Sequence, residues 1–163
     1  MDRLYFFRVM TLLAALWSIA PAHAAWMVQD TSQIGFVSIK NNSIGENNAF
    51  QRVSGSISEA GMVAVAIDLT SVETGVGIRN ERLQTMLFDV ASFPSATVKA
   101  TLSPAQVMAL RGGGTVTESV ALDVSLYGTT VSKTAELLVS VLDDDVRVTS
   151  TQPIMIMAQV FGL

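Results

Sequence analysis

The sequence predicts an all-β fold, an antiparallel sandwich or barrel with one short amphipathic helix covering an end. Three observations carry that prediction. Residues 62–69 and 120–142 alternate apolar and polar side chains with period two, as half-buried strands do. Short turns separate such segments at regular spacing, which favours antiparallel neighbours. Between two of the strands, residues 77–90 change to helical spacing. Of the two architectures, a barrel has the advantage of leaving no exposed strand edge.

In chain order, a leader comes first. Asp2, Arg3 and Arg8 flank a start that runs into the apolar stretch VMTLLAALWSIA, and Ala22-His23-Ala24 follows as a small-x-small cleavage site. This order predicts a signal peptide over residues 1–24 and a mature chain from Ala25 or Trp26. The apolar run is short of the roughly 20 residues that a membrane helix needs, and without cysteine there is no lipid-modified anchor. The expectation is an exported, periplasmic protein with no stable membrane span after cleavage. One domain occupies residues 25–163.

Residues 34–40 (IGFVSIK) read as the first long strand, and the polar NNSIGENN after them as a turn or loop. A strand is expected over 49–57, a hairpin turn at SEAG, and a strand over 62–69. That last strand sets Val63, Val65, Ile67 and Leu69 on one face and Met62, Ala64, Ala66 and Asp68 on the other. Ser71 and Thr74-Gly75 then stop it. In the helix that follows, Leu83, Met86, Leu87 and Val90 fall at i, i+3, i+4 and i+7, an apolar stripe of about three turns. Arg79, Glu81, Arg82 and Gln84 cover the other faces, Phe88 closes the helix, and Phe93-Pro94 returns the chain to strand. In a barrel, such a helix is a plug.

A strand over 95–102 comes next. Ser103 as N-cap and Pro104 at the first helical position open a second short helix, which ends at the glycines of RGGG. Those glycines lack the Gly-Lys-Ser/Thr continuation of a phosphate loop and read as punctuation. In the next strand Val120, Leu122, Val124 and Leu126 alternate with Ala121, Asp123, Ser125 and Tyr127. YGTT makes a turn, and residues 131–142 return with Ala135, Leu137, Val139 and Val141 inward. Asp143-Asp144-Asp145 reads as a solvated turn in preference to a calcium site, since the other oxygen ligands of an EF-hand are absent. Strands over 146–151 and 154–160 finish the chain.

Composition narrows the chemistry. The chain has 10 basic and 14 acidic residues and stays acidic once the leader is removed, which argues against nucleic acid as a partner. The only histidine, His23, lies in the leader, and cysteine is absent. Zinc, copper, haem and iron–sulfur sites lose their usual ligands, and a Ser-His or Cys-His triad cannot be assembled. No catalytic residue, metal or cofactor is expected. A hydrolase or isomerase working through Glu73 and Asp89 is the enzymatic alternative, but acidic residues at helix boundaries usually serve as caps. A further alternative is a periplasmic interaction or stress-related module with a filled core, using NNSIGENNAF as its exposed loop.

The stretch SVETGVGIRNERLQTMLFDVASFPSATV resembles the signature of the YceI-like domain family through Ser71, Val72, Thr74, Arg79, Asn80, Leu83, Phe88, Phe93 and Pro94. Trp26, IGFVSIK, VSGSI at 53–57, SLYGTT at 125–130 and FGL at 161–163 agree with it, so the likeness extends over nearly all of 26–163. The resemblance implies a lipocalin-like antiparallel barrel in the periplasm, carrying a polyisoprenoid such as a prenyl quinone or a polyprenyl phosphate. Two departures stand out: the Asp-x-x-His-Ser of many members is QDTSQIGF here, and the family's further segment and closing strand after FGL do not follow, so the expectation is either a domain truncated at its C-terminus or a barrel with a gap. An open edge of that kind is a route to a dimer. The lumen residues expected to hold lipid are Phe36, Phe50, Val65, Ile67, Leu83, Leu87, Phe88, Leu122, Val124, Leu137 and Val139. Arg79 and Arg82 are expected either to pair with nearby carboxylates or to meet a lipid headgroup.

Overall fold

A computed structural model describes residues 24–40, 44–142 and 145–163. The predicted signal peptide lies outside them except for Ala24, as do Asp143 and Asp144 of the acidic turn. The strands are β1 (Ala24–Met27), β2 (Ile34–Lys40), β3 (Ile44–Phe50), β4 (Val53–Ser58), β5 (Met62–Asp68), β6 (Val72–Glu73), β7 (Ser95–Thr101), β8 (Gly114–Leu126), β9 (Thr129–Leu142) and β10 (Asp145–Ser150). Two helices, α1 (Gly77–Arg82) and α2 (Pro104–Gly112), interrupt them.

Seven strands form one antiparallel sheet in the order β1-β4-β5-β7-β8-β9-β10, curled into a nearly closed barrel. Among the described residues no ladder joins the two edge strands. Instead the Gln29 side chain, just after β1, donates to the Asp145 carboxylate at the start of β10 at 2.7 Å. A second sheet, β2-β3-β6, lays Ile34, Phe36, Phe50 and Val72 over one end of the barrel. Strand β5 carries the alternation expected of it: Ile67 is buried while Met62 on the opposite face is half exposed. Val120 and Leu122 of β8 and Ala135 and Val139 of β9 are likewise buried.

Four elements differ from the sequence expectation. The segment expected as a loop, NNSIGENN, contributes most of β3, which pairs with β2 from Ile34↔Phe50 to Lys40↔Ile44. Its inward positions include Glu46 and Asn48, polar residues that are tolerated because they are bonded. Glu46 is ion-paired to Arg79, and the Asn48 amide donates to the Glu46 carbonyl at 3.0 Å. The strand expected over 49–57 is broken at Gln51 and Arg52, where the chain passes from the small sheet to the large one. There Gln51 N–H bonds the Ser71 carbonyl, and Arg52 N–H bonds the Ser71 hydroxyl at 3.0 Å.

The plug helix is not α-helical throughout. After α1, residues 83–87 widen into a π-turn, with Phe88 N–H bonding the Leu83 carbonyl and Val90 N–H the Gln84 carbonyl. Each turn then holds an extra residue, which rotates the face. Phe88 joins Leu83, Leu87 and Val90 on the core, and Met86 of the predicted stripe points to solvent, 80% exposed. The last expected strand, 154–160, is irregular and ends in a 3₁₀ turn (Ala158–Phe161). Met155, Met157 and Val160 stay exposed along it while Phe161 is buried, so the segment is anchored by one ring and not by a ladder.

Candidate binding cavity

The barrel interior divides into two ends of different character. At the α1 end, Phe50, Ile67, Leu69, Val72, Phe88 and Ala96 form a buried cluster, with Ile34, Phe36, Leu83, Leu87, Val90, Val98 and Leu126 against it. The Phe36 and Phe50 rings stack at 5.0 Å, and Phe88 tilts onto Phe50 at 5.9 Å. The plug fills this end.

The residues that carry the family-like signature explain how the plug is seated. Ser71, buried, donates its hydroxyl to the Asp68 carbonyl at 2.6 Å while accepting from Arg52 N–H. Thr74 donates both its hydroxyl and its N–H to Asn80 Oδ1, at 2.6 and 2.9 Å, which folds the loop onto the start of α1. Asn80 in turn donates to Glu73 at 3.2 Å, and Gly75 N–H donates to the same carboxylate oxygen at 2.6 Å. The Gly75 N–H, with Asn80 beside it, holds the Glu73 carboxyl below the usual range. Burial pushes Asp68 upward, but hydrogen bonds from Thr70 and Arg52 outweigh it and leave this carboxyl lowered. Phe93 lies on Tyr127 at 4.4 Å, where Tyr127 and Gly128 turn the β8–β9 hairpin at φ of 50° and 74°. Both adopt the left-handed conformation of a tight hairpin turn.

At the opposite end the interior is hollow. A cavity of about 90 Å³ is lined by Ile57, Val63, Ala100, Val116, Val120, Leu122, Leu137, Val139 and Val148 from the strands, by Leu102 just after β7, and by Gln106 and Leu110 from α2, with Glu118 beside them. Its origin is a gap in the sheet. β7 pairs with β8 only at Thr97, Val98 and Lys99, so the first half of β8 has β9 alone as a ladder partner. The helix linking the two strands, α2, covers the vacant side. Its start is fixed by a capping box: Ser103 N–H donates to Gln106 Oε1 at 2.9 Å, and Gln106 N–H to the Ser103 hydroxyl at 3.3 Å. Val107 and Leu110 are buried against the barrel.

The residues expected to line a lumen are therefore separated. Leu122, Leu137 and Val139 line the cavity. Val124 sits with Val120 and Leu122 in a second cluster that continues the wall. Phe36, Phe50, Ile67, Leu83, Leu87 and Phe88 belong to the packed end, and Val65 is half-buried on β5 between them. Arg79 forks onto Glu46, with Nη1–Oε2 at 2.9 Å and Nη2–Oε1 at 3.1 Å, and Arg82 is exposed; neither lines the cavity. Sequence reading missed the contribution of α2. The signal was present in Val107 and Leu110, three residues apart behind a Ser-Pro start, but nothing local says that this helix faces a gap.

Fold and cavity together define a class: a small antiparallel barrel stoppered at one end and apolar and hollow at the other. The chain belongs to the YceI-like domain family, whose sequence profile matches residues 17–163. Among solved structures it is similar to a polyisoprenoid binding domain from Saccharophagus degradans implicated in plant cell wall breakdown, at 31% identity and a TM-score of 0.79, covering 86% of this chain and 82% of that one. It also shares its fold with BcnA of Burkholderia cenocepacia, at 19% identity and a TM-score of 0.55, covering 80% and 79% of the two chains. None of the curated proteins matches the sequence.

Proposed function

We propose that the protein is an exported, non-enzymatic carrier that holds the hydrocarbon chain of a polyisoprenoid lipid inside its barrel. The observation that carries this reading is the cavity beside α2, whose strand walls are Val, Leu, Ile and Ala apart from Glu118. The 31%-identical domain from Saccharophagus degradans, described as polyisoprenoid binding, supports the same ligand class. Export to the periplasm is supported by the basic start, apolar run and Ala22-His23-Ala24 site of the leader. Among the described residues no helix is long and apolar enough to cross a membrane.

Size sets the mechanism. Pockets for drug-sized ligands measure roughly 300–1,000 Å³, so the 90 Å³ cavity holds only the leading part of a chain until its wall gives way. The wall that yields is α2, because its body is held by two buried side chains, Val107 and Leu110, while its neighbours are held by ladders; its first turn stays tied through Gln106 to Glu118. Each methylene brought inside gains about 0.8 kcal/mol, so a few isoprene units offset the displaced contacts. Such attraction has no direction and tolerates different chain lengths.

The test is organic extraction of the purified protein followed by mass spectrometry, with Ala100→Trp as the comparison. A prenyl lipid that co-purifies with the native protein and is lost from a folded Ala100→Trp variant supports the carrier. Extracts free of lipid, together with no uptake of added polyprenol, overturn it.

A further inference from the structure

We infer that the cavity selects a polyisoprenoid with an uncharged, hydroxyl-bearing headgroup over the phosphate ester of the same chain, and that Glu118 makes the distinction. This rests on the carrier reading above and adds the chemistry of the ligand's polar end. Among the side chains lining the cavity only Gln106 and Glu118 are polar, and none is Lys or Arg. Glu118 lies between Val116 and Val120 on the inward face of β8. Gln106 Nε2 donates to Glu118 Oε2 at 3.0 Å and lies 3.4 Å from the Ser119 carbonyl. Both side chains are partly exposed, so the pair marks where the apolar cavity reaches solvent.

The pair is also oriented. The capping box fixes Gln106 Oε1 on Ser103 N–H, which leaves its Nε2 directed at Glu118. One Glu118 oxygen is thereby taken, and the other has no hydrogen-bond partner among the described residues. An ionised carboxylate only accepts hydrogen bonds. The terminal hydroxyl of a polyisoprenoid alcohol can donate to the free oxygen while its chain fills the apolar space. A phosphate brings acceptors and charge of the same sign, and like charges brought together weaken binding. Arg79, which forks onto Glu46, is at the far end of the barrel and so engaged, and offers no compensation.

The experiment titrates farnesol and farnesyl monophosphate into the purified protein and into Glu118→Gln, which keeps the side chain's length and its contact with Gln106. The native protein is expected to bind farnesol about tenfold more tightly, and Glu118→Gln to narrow the gap to within about twofold. Added salt should strengthen phosphate binding to the native protein and leave farnesol unchanged, a readout that needs no variant. Equal affinities in the native protein, tighter phosphate binding, or a gap that survives Glu118→Gln overturns the inference while leaving the carrier intact. Failure of both lipids to bind overturns the carrier reading and this inference with it.

Discussion

Single residues of β4 and β5 do structural duty out of proportion to their size. Gly55 on β4 has φ of 154°, and a Cβ there would overlap the Ala64 carbonyl oxygen and come within 2.8 Å of Val65 Cα. Both belong to the paired strand β5, which cannot retreat without losing its ladder. Gly55→Ala is therefore expected to cost about 2–3 kcal/mol, measured by urea denaturation. Asp68 acts through charge. Its carboxyl accepts from Thr70 N–H, the Thr70 hydroxyl and the Arg52 guanidinium, the last at 2.8 Å. Because its folded pKa is lowered, its contribution is complete above the ordinary value of 3.8 and is lost as pH falls through the folded value. Asp68→Asn should cost about 0.5–1 kcal/mol at neutral pH, discounted for the exposure of this ion pair. The difference from the native protein should close below pH 3.8 in a series of denaturation curves.

At the scale of elements, the plug shows how one irregular turn changes which residues matter. A regular helix would bury Met86 together with Leu83 and Leu87; the π-turn buries Phe88 in its place. Met86→Lys is accordingly expected to change stability by no more than about 0.5 kcal/mol. Leu83→Lys, which drives an ammonium into the Phe50–Leu69 cluster, should cost more than about 2 kcal/mol. Equal effects of the two substitutions would mean that the π-turn does not form in solution. The second helix has the opposite role. α1 closes an end that is already full, whereas α2 lies over the part of β8 that β7 does not reach.

For the whole molecule, stability and binding are linked through the hollow end. A ligand that occupies only the folded barrel raises its stability with concentration, by about 2.7 kcal/mol at a hundredfold excess over Kd. Thermal melts in increasing polyprenol should move upward without a plateau in this range, and an unchanged melting temperature would count against binding in the interior. The nearly closed sheet adds a point of its own. Among the described residues the edges of β1 and β10 are bridged by the Gln29–Asp145 contact and not by backbone pairing, which leaves an unladdered seam there.

Much of this was legible in the sequence because the relevant physics is local. Period-two alternation located β5, β8 and β9 and assigned Val63, Ile67, Leu122, Ala135 and Val139 to the inner face, since pleating dictates sides without reference to neighbours. Ser103 and Pro104 announced α2, and Tyr127-Gly128 the hairpin turn, for the same reason. Where partners lie far apart in sequence, the pattern failed. β3 was hidden because the inward Glu46 becomes acceptable only through Arg79, 33 positions away, and the face of the plug depended on a hydrogen-bond shift that the apolar spacing does not encode. The location of the cavity was decided by tertiary structure alone. It exists because one ladder stops at Lys99, and the length of a ladder is a property of two strands and the helix between them.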